Sequence, residues 1–165
     1  MNLFCKKILL IPIIFIISSC GYTLRGSINV PNNVTEISVS SEEYSPIVNS
    51  INKILVSNNI EVTNSKNKSL NRIIIVSERF DRRQLSMSIT GRVNEYELIY
   101  TVNFQINSPL EKSSTDSITL YRDYSFDENN IMGNSDREAY IQNQMMSTAS
   151  TLIFHKLIAK INNSN

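Results

Sequence analysis

Thiols and imidazoles are nearly missing from this chain. Its 165 residues include two cysteines, one histidine and no tryptophan. A lone His155 leaves zinc without its usual ligand set. It also has no evident serine or cysteine partner for nucleophilic catalysis. Glycine is scarce, at four residues. None builds a phosphate-cradling loop or a Gly-x-Ser-x-Gly elbow. Net charge is missing as well, with 16 lysines and arginines against 15 acids. A balance that close supplies no overall field for nucleic acid or an anionic membrane, so any polyanion must be met by a local cluster. Together these absences argue against an enzyme and imply no cofactor. Nor is there an internal repeat.

The one long apolar run near the N-terminus is Ile8 to Ile17, interrupted by Pro12 and preceded by Lys6 and Lys7. A membrane-spanning helix needs roughly 20 apolar residues, about twice what is present. A cleaved secretory signal fits the pattern better. Ile17-Ser18-Ser19-Cys20 then places a cysteine directly after small residues. This resembles a bacterial lipobox, with residues 1–19 as signal peptide and Cys20 as the lipid-bearing first residue of the mature chain. A plain signal with an incidental cysteine is the bland alternative. In the lipobox reading Cys5 is removed and Cys20 is acylated, so no disulfide forms. The resemblance implies an S-diacylglyceryl group and an N-acyl chain on Cys20. Two or more chains anchor stably where one holds only marginally. Gly21 stands where an aspartate would signal inner-membrane retention in such lipoproteins, which implies export to the outer membrane.

The mature chain divides into a tether over 20–33 and a single domain over 34–165. Val34 to Ser40 alternates as a short strand. Ser45-Pro46 starts a helix, with serine as cap and proline at the first helical position. Ile47, Ile51, Ile54 and Leu55 form its apolar stripe, and Ile60 to Val62 is a short extended piece. Ile73-Ile74-Ile75-Val76 suits a strand buried on both faces. Asp81-Arg82-Arg83-Gln84 breaks that strand, before Leu85, Met87 and Ile89 resume the alternation and Thr90-Gly91-Arg92 turns the chain. In the next strand Tyr96, Leu98, Tyr100, Val102, Phe104 and Ile106 share one side. Thr115 to Phe126 repeats the pattern. Asp127 to Ser135 is a loop, and Ser135 caps a second helix running to about Ile161. Ile141, Met145, Ala149, Leu152 and Ile153 form its stripe, with His155 on the polar side. The order β-α-β-β-β-α makes an α+β domain, a small, mostly antiparallel sheet with two helices on one face.

The residues with chemical interest are arginines: Arg82 and Arg83 in the break, and Arg92 at the hairpin turn. Guanidinium forks suit phosphate. Solvated loop residues are the competing reading, and the sequence leaves both open. Glu95 and Glu97 share a side of one strand, a usual arrangement for a wetted face.

Cys20-Gly21-Tyr22-Thr23-Leu24-Arg25-Gly26, Glu95-Tyr96-Glu97-Leu98 running into Tyr100-Thr101-Val102, Arg122-Asp123-Tyr124-Ser125-Phe126-Asp127, and Glu138 through Met145 occur in that order. Together they resemble the lipopolysaccharide-assembly lipoprotein family. The resemblance implies an outer-membrane lipoprotein, anchored at the periplasmic leaflet with its domain inside a large β-barrel that translocates lipopolysaccharide. It further implies a plug and folding aid that touches lipopolysaccharide directly and binds no nucleic acid. Arg92, Arg82 and Arg83 are the residues the resemblance assigns to that contact. Some relatives add a basic residue in the loop before the last helix; here Gly133-Asn134-Ser135 occupies it, and Arg137 is nearby. Two rival readings stand beside this one. The chain is a lipoprotein module of another machine, such as general β-barrel insertion, or it is a periplasmic hydrolase, for which no nucleophile–base pair is found.

Overall fold

The computed structural model describes residues 30–31, 34–64, 71–109 and 111–163. The signal segment, Cys20 and the Gly21–Gly26 stretch lie outside the described residues. A βαβ unit comes first: β1 (Glu36–Ser41), α1 (Ile47–Ser57) and β2 (Glu61–Thr63). A three-strand meander follows, β3 (Asn71–Met87), β4 (Val93–Ser108) and β5 (Glu111–Ser125), and α2 (Ile131–Asn163) closes the chain. The five strands lie in the order β2-β1-β3-β4-β5. β1 is parallel to both β2 and β3, while β3–β4 and β4–β5 are antiparallel. The α+β class and the helix arrangement match the sequence-based expectation. The short edge strand β2 adds one strand to it.

The core lies between the helices and one face of the sheet. Leu98, Tyr100, Val102, Phe104 and Ile106 of β4 are buried there, with Ile73 and Ile75 of β3 and Ile37 and Val39 of β1. From α1 come Ile47, Ile51 and Leu55, and from α2 Met145, Ala149, Ile153, Phe154, Leu157 and Ile158. The 33 residues of α2 span about 50 Å at 1.5 Å per residue. The 16 residues of β4 span about as much at roughly 3.3 Å each. One helix therefore covers one strand end to end. Neither described helix is long and apolar enough to cross a membrane.

Several local expectations are corrected. Asp81-Arg82-Arg83-Gln84 does not break the chain. β3 runs through it with Arg82 opposite Leu98 and Arg83 opposite Glu97. Its charged side chains are all paired: Asp81 with Arg79 on the same strand, Arg82 with Glu138 on α2, and Arg83 with Glu97 across the sheet. Ile74 and Val76 are only half-buried, so β3 is covered on one face, not two. Leu152 is exposed, and Phe154 takes the core position instead. The second helix begins at Ile131, so Ser135 and Gly133 are helical and the loop shrinks to 126–130. Asn130 caps it, its Oδ1 accepting from the Gly133 N–H at 3.0 Å. A Cβ on Gly133 would come within 2.5 Å of the Asn130 amide, so glycine makes room for the cap.

Ser45 does not cap α1 either. Its hydroxyl donates to Glu78 on β3. The same carboxylate accepts from the Ile47 N–H at 3.2 Å and from the Tyr100 hydroxyl at 2.6 Å. A negative group at a helix start satisfies an orphan donor and meets the positive end of the helix dipole. Burial, and then the bond to Glu78, push the Tyr100 phenol well above its ordinary value. Glu78 therefore joins α1 to the middle of the sheet. Replacing Glu78 with alanine is expected to cost about 1–3 kcal/mol. It should lower the urea midpoint without changing the slope. An unchanged midpoint would show that the carboxylate is dispensable.

Candidate functional site

The β3–β4 hairpin ends in a turn over 88–92 at one pole of the sheet. Ser88 and Arg92 close it, the Ser88 N–H donating to the Arg92 carbonyl at 2.7 Å. Gly91 supplies the left-handed backbone, at φ 78°, that a side chain resists. The loop between β5 and α2 is fastened beside this turn, where the Phe126 N–H donates to the Asn94 carbonyl at 2.8 Å. Buried Asn134 stiffens the loop from below. Its Nδ2 donates to the Asp127 carbonyl at 2.6 Å, and its Oδ1 accepts from the Asp127 N–H at 3.0 Å. Asn134 was invisible as a structural residue in the sequence, because a buried asparagine in a helix's first turn has no periodic signature.

Two arginines flank this loop. Arg92 shares a groove of about 320 Å³ with Ser88, Thr90, Phe126 and Asp127. Arg137 shares one of about 240 Å³ with Phe126, Asp127, Asn130 and Gly133. Phe126 and Asp127 line both grooves, so both arginines stand beside one loop. The Arg92 groove is open to solvent, a shape for a headgroup lying on the surface, and the Arg137 groove is the more enclosed of the two. The start of α2 adds its partial positive charge. Among the described residues no three histidine, cysteine or acidic side chains gather to hold a metal.

Arg82 and Arg83 do not join them. As neighbours on a strand they point to opposite faces of the sheet. Arg82 Nη1 contacts Glu138 at 2.9 Å and its guanidinium lies 4.6 Å from the Tyr96 ring centre. Glu138 also accepts from the Tyr124 hydroxyl at 2.7 Å. Burial, and next that bond, raise the Tyr124 phenol above its ordinary value. Arg83 pairs with Glu97, which is nearly buried. The expected wetted face at Glu95 and Glu97 is thus corrected: Glu97 is held by Arg83, and Glu95 accepts from Ser86 at 2.6 Å. These arginines tie α2 to the sheet and β3 to β4.

Arg92 is held more loosely. It meets Glu128 at 3.0 Å, with side chains 70% and 39% exposed. Pairs that open to water contribute up to about 1 kcal/mol. A ligand phosphate can therefore displace Glu128 at small cost. Displacing Glu138, only 23% exposed, would strand a tyrosine and an arginine together.

Residues 34–157 match the model of the LptE family, described as lipopolysaccharide-assembly. An LPS-assembly lipoprotein LptE from Pectobacterium atrosepticum is 22% identical over 147 residues, 88% of this chain and 80% of its own. A second, from Yersinia enterocolitica, is 22% identical over 88% of this chain and 71% of its own. The fold is similar to the crystal structure of the rare lipoprotein B from Shewanella oneidensis, with TM-score 0.72 and 26% identity. That match covers 78% of this chain and 97% of the other. A lipoprotein B from Nitrosomonas europaea shares the fold at TM-score 0.69 and 22% identity, over 84% of this chain and 95% of its own.

The partition of arginines has a measurable consequence. Glu138→Ala is expected to destabilise the fold by about 1–3 kcal/mol, having left two partners unmatched. Arg92→Ala should stay within about 0.5 kcal/mol of the parent. Equal losses in urea unfolding would contradict the distinction.

Proposed function

The chain belongs to the LptE family of lipopolysaccharide-assembly lipoproteins, and from that premise we propose that Arg92 and Arg137 hold the phosphates of lipopolysaccharide. The family is non-enzymatic. In this reading Cys20 carries the lipid that fixes the protein to the periplasmic leaflet of the outer membrane. The domain sits inside the lipopolysaccharide-assembly barrel as plug and folding aid. The observation that carries the reading is the pairing of Arg92 and Arg137 about the loop at 126–130. Two guanidinium groups at one exposed turn suit a diphosphorylated headgroup better than any other feature of the described surface.

Two further observations support it. The sheet face turned away from the helices carries Ser77, Thr101, Asn103, Gln105, Thr115, Ser117 and Thr119. Hydrogen bonds link Asn103 to Ser77. The same face also carries Arg79, Asp81, Arg83, Glu97 and Asp123, with Arg79 paired to Asp81 and Arg83 to Glu97. A polar face of this kind is compatible with the polar interior wall of a large barrel. The chain also enters the sheet far from the arginines. β1 starts beside the first residues of β3, Ile37 opposite Asn71, while the hairpin follows the far end of β3 at Met87. The described chain thus enters the domain at the pole opposite the arginines, roughly the sheet's length, about 50 Å, away from them.

The test is binding of purified full-length protein to lipopolysaccharide alongside co-purification from mild detergent. The Arg92→Glu and Arg137→Glu double variant should bind at least about ten-fold more weakly, the loss of a charge-assisted pair, and still bring down one large barrel. Undiminished binding would remove these arginines from the site. Recovery of many different barrels in place of one would favour a role in general β-barrel insertion.

A further inference from the structure

Ten large apolar side chains are exposed among the described residues, and five of them stand at the arginine pole: Leu85, Met87, Ile89, Ile131 and Met132. Folding does not account for the most exposed of these. Ile89 lies in the hairpin turn and is fully exposed. Turns favour glycine, asparagine, aspartate and serine there for their backbone chemistry, and a β-branched residue adds nothing to such a turn. Ile131 and Met132 open α2 and are 72% and 81% exposed. Acidic or polar residues suit those first helical positions, where they meet the free N–H groups and the helix dipole. Local preferences broken at one place, with no gain to the fold, mark a place kept for something else.

The two apolar pieces are joined through the charged grooves. Ser88 and Thr90, either side of Ile89, line the Arg92 groove together with Glu128 and Asn129, the residues just before the cap of α2. Ile131 in turn lines the neighbouring groove of about 310 Å³ over Arg82 and Tyr124. Cationic groups and bare apolar side chains thus stand together at one pole. Charge fixes the class of occupant. A purely polar anion has no use for the isoleucines, and an uncharged lipid none for the guanidinium groups. A phosphorylated lipid uses both.

We propose that Met87, Ile89, Ile131 and Met132 receive the acyl chains of the ligand whose phosphates Arg92 and Arg137 hold. This inference rests on the phosphate reading above and adds a separate hydrophobic contact to it. Covering side chains of this size removes enough apolar surface from water to change affinity by roughly ten-fold.

Full-length protein is titrated with intact lipopolysaccharide and with the same material stripped of its acyl chains but retaining its phosphates. The parent should bind the intact form at least about ten-fold more tightly. An Ile89→Asn and Met132→Asn double variant, altered only at exposed positions, should lose roughly that factor toward the intact form and nothing toward the stripped one. Arg92→Glu should weaken both. Equal binding of both forms by the parent, or full retention of intact binding by the double variant, would overturn the acyl contact. If the double variant binds normally but no longer brings down the barrel, the rim is a protein contact and the inference fails. An Arg92→Glu variant without effect on either form would overturn the phosphate reading separately, leaving the apolar contact to be judged on the other arms.

Discussion

Burial of the inward row of β4 beneath α2 is the constraint on which the rest of this structure depends. Tyr100 and Phe104 are fully buried there, and Ile153, Phe154 and Leu157 close over them from the helix. Helix and strand are matched in length, so packing proceeds along the whole sheet and fixes the direction of α2 against β5. Polar contacts then pin the two ends. Lys156 meets Asp116 near one end, and Glu138 meets Arg82 and Tyr124 near the other. With those ends pinned, the first turn of α2 must arrive beside the β3–β4 hairpin. The arrangement of the arginine pole follows from a hydrophobic seam that lies mostly elsewhere.

That seam also sorts the charges. Arg82 and Arg83 are themselves about half-exposed, but each partners a carboxylate that the fold covers, Glu138 or Glu97, and a covered carboxylate left unpaired is costly. Arg82 stacks on Tyr96 and bonds Glu138; Arg83 bonds Glu97. Beyond the seam's reach the cost disappears, and Arg92 and Arg137 stand in water with weak ties or none among those described. Four arginines that look alike in sequence thus sit in two different settings. How far the opposing carboxylate is covered, not residue type, decides between them.

Much of the architecture was legible in the sequence. The six-residue alternation from Tyr96 to Ile106 could only be a half-buried strand, and Thr90-Gly91-Arg92 announced its turn. The apolar stripe of α2 was visible from Met145 onward. What escaped shares one cause: the deciding partner lies far away in sequence. Asp81-Arg82-Arg83-Gln84 looked like a loop because Glu138 and Glu97 were not known to stand opposite. Ser45 looked like a cap because Glu78, on another strand, was not known to reach Ile47. Ser135 was taken for the helix start because the cap at Asn130 works only with Gly133 beside it. For the site, the sequence offers Arg92, Arg82, Arg83 and Arg137, and only the fold separates the paired Arg82 and Arg83 from the two that adjoin the 126–130 loop. Of the apolar rim, Met87 and Ile89 stood out only as strand alternation, which hid their exposure, and Ile131 and Met132 left no periodic trace.

The central claim is that one pole of the domain meets lipopolysaccharide and the opposite pole does not. A photoreactive amino acid placed at Thr90, on the hairpin turn, and in a second variant at Ala159, near the far end of α2, tests this in cells. Lipopolysaccharide crosslinked at Thr90 and absent at Ala159 is the predicted result. Crosslinking at Ala159 alone, or equally at both positions, would contradict the account.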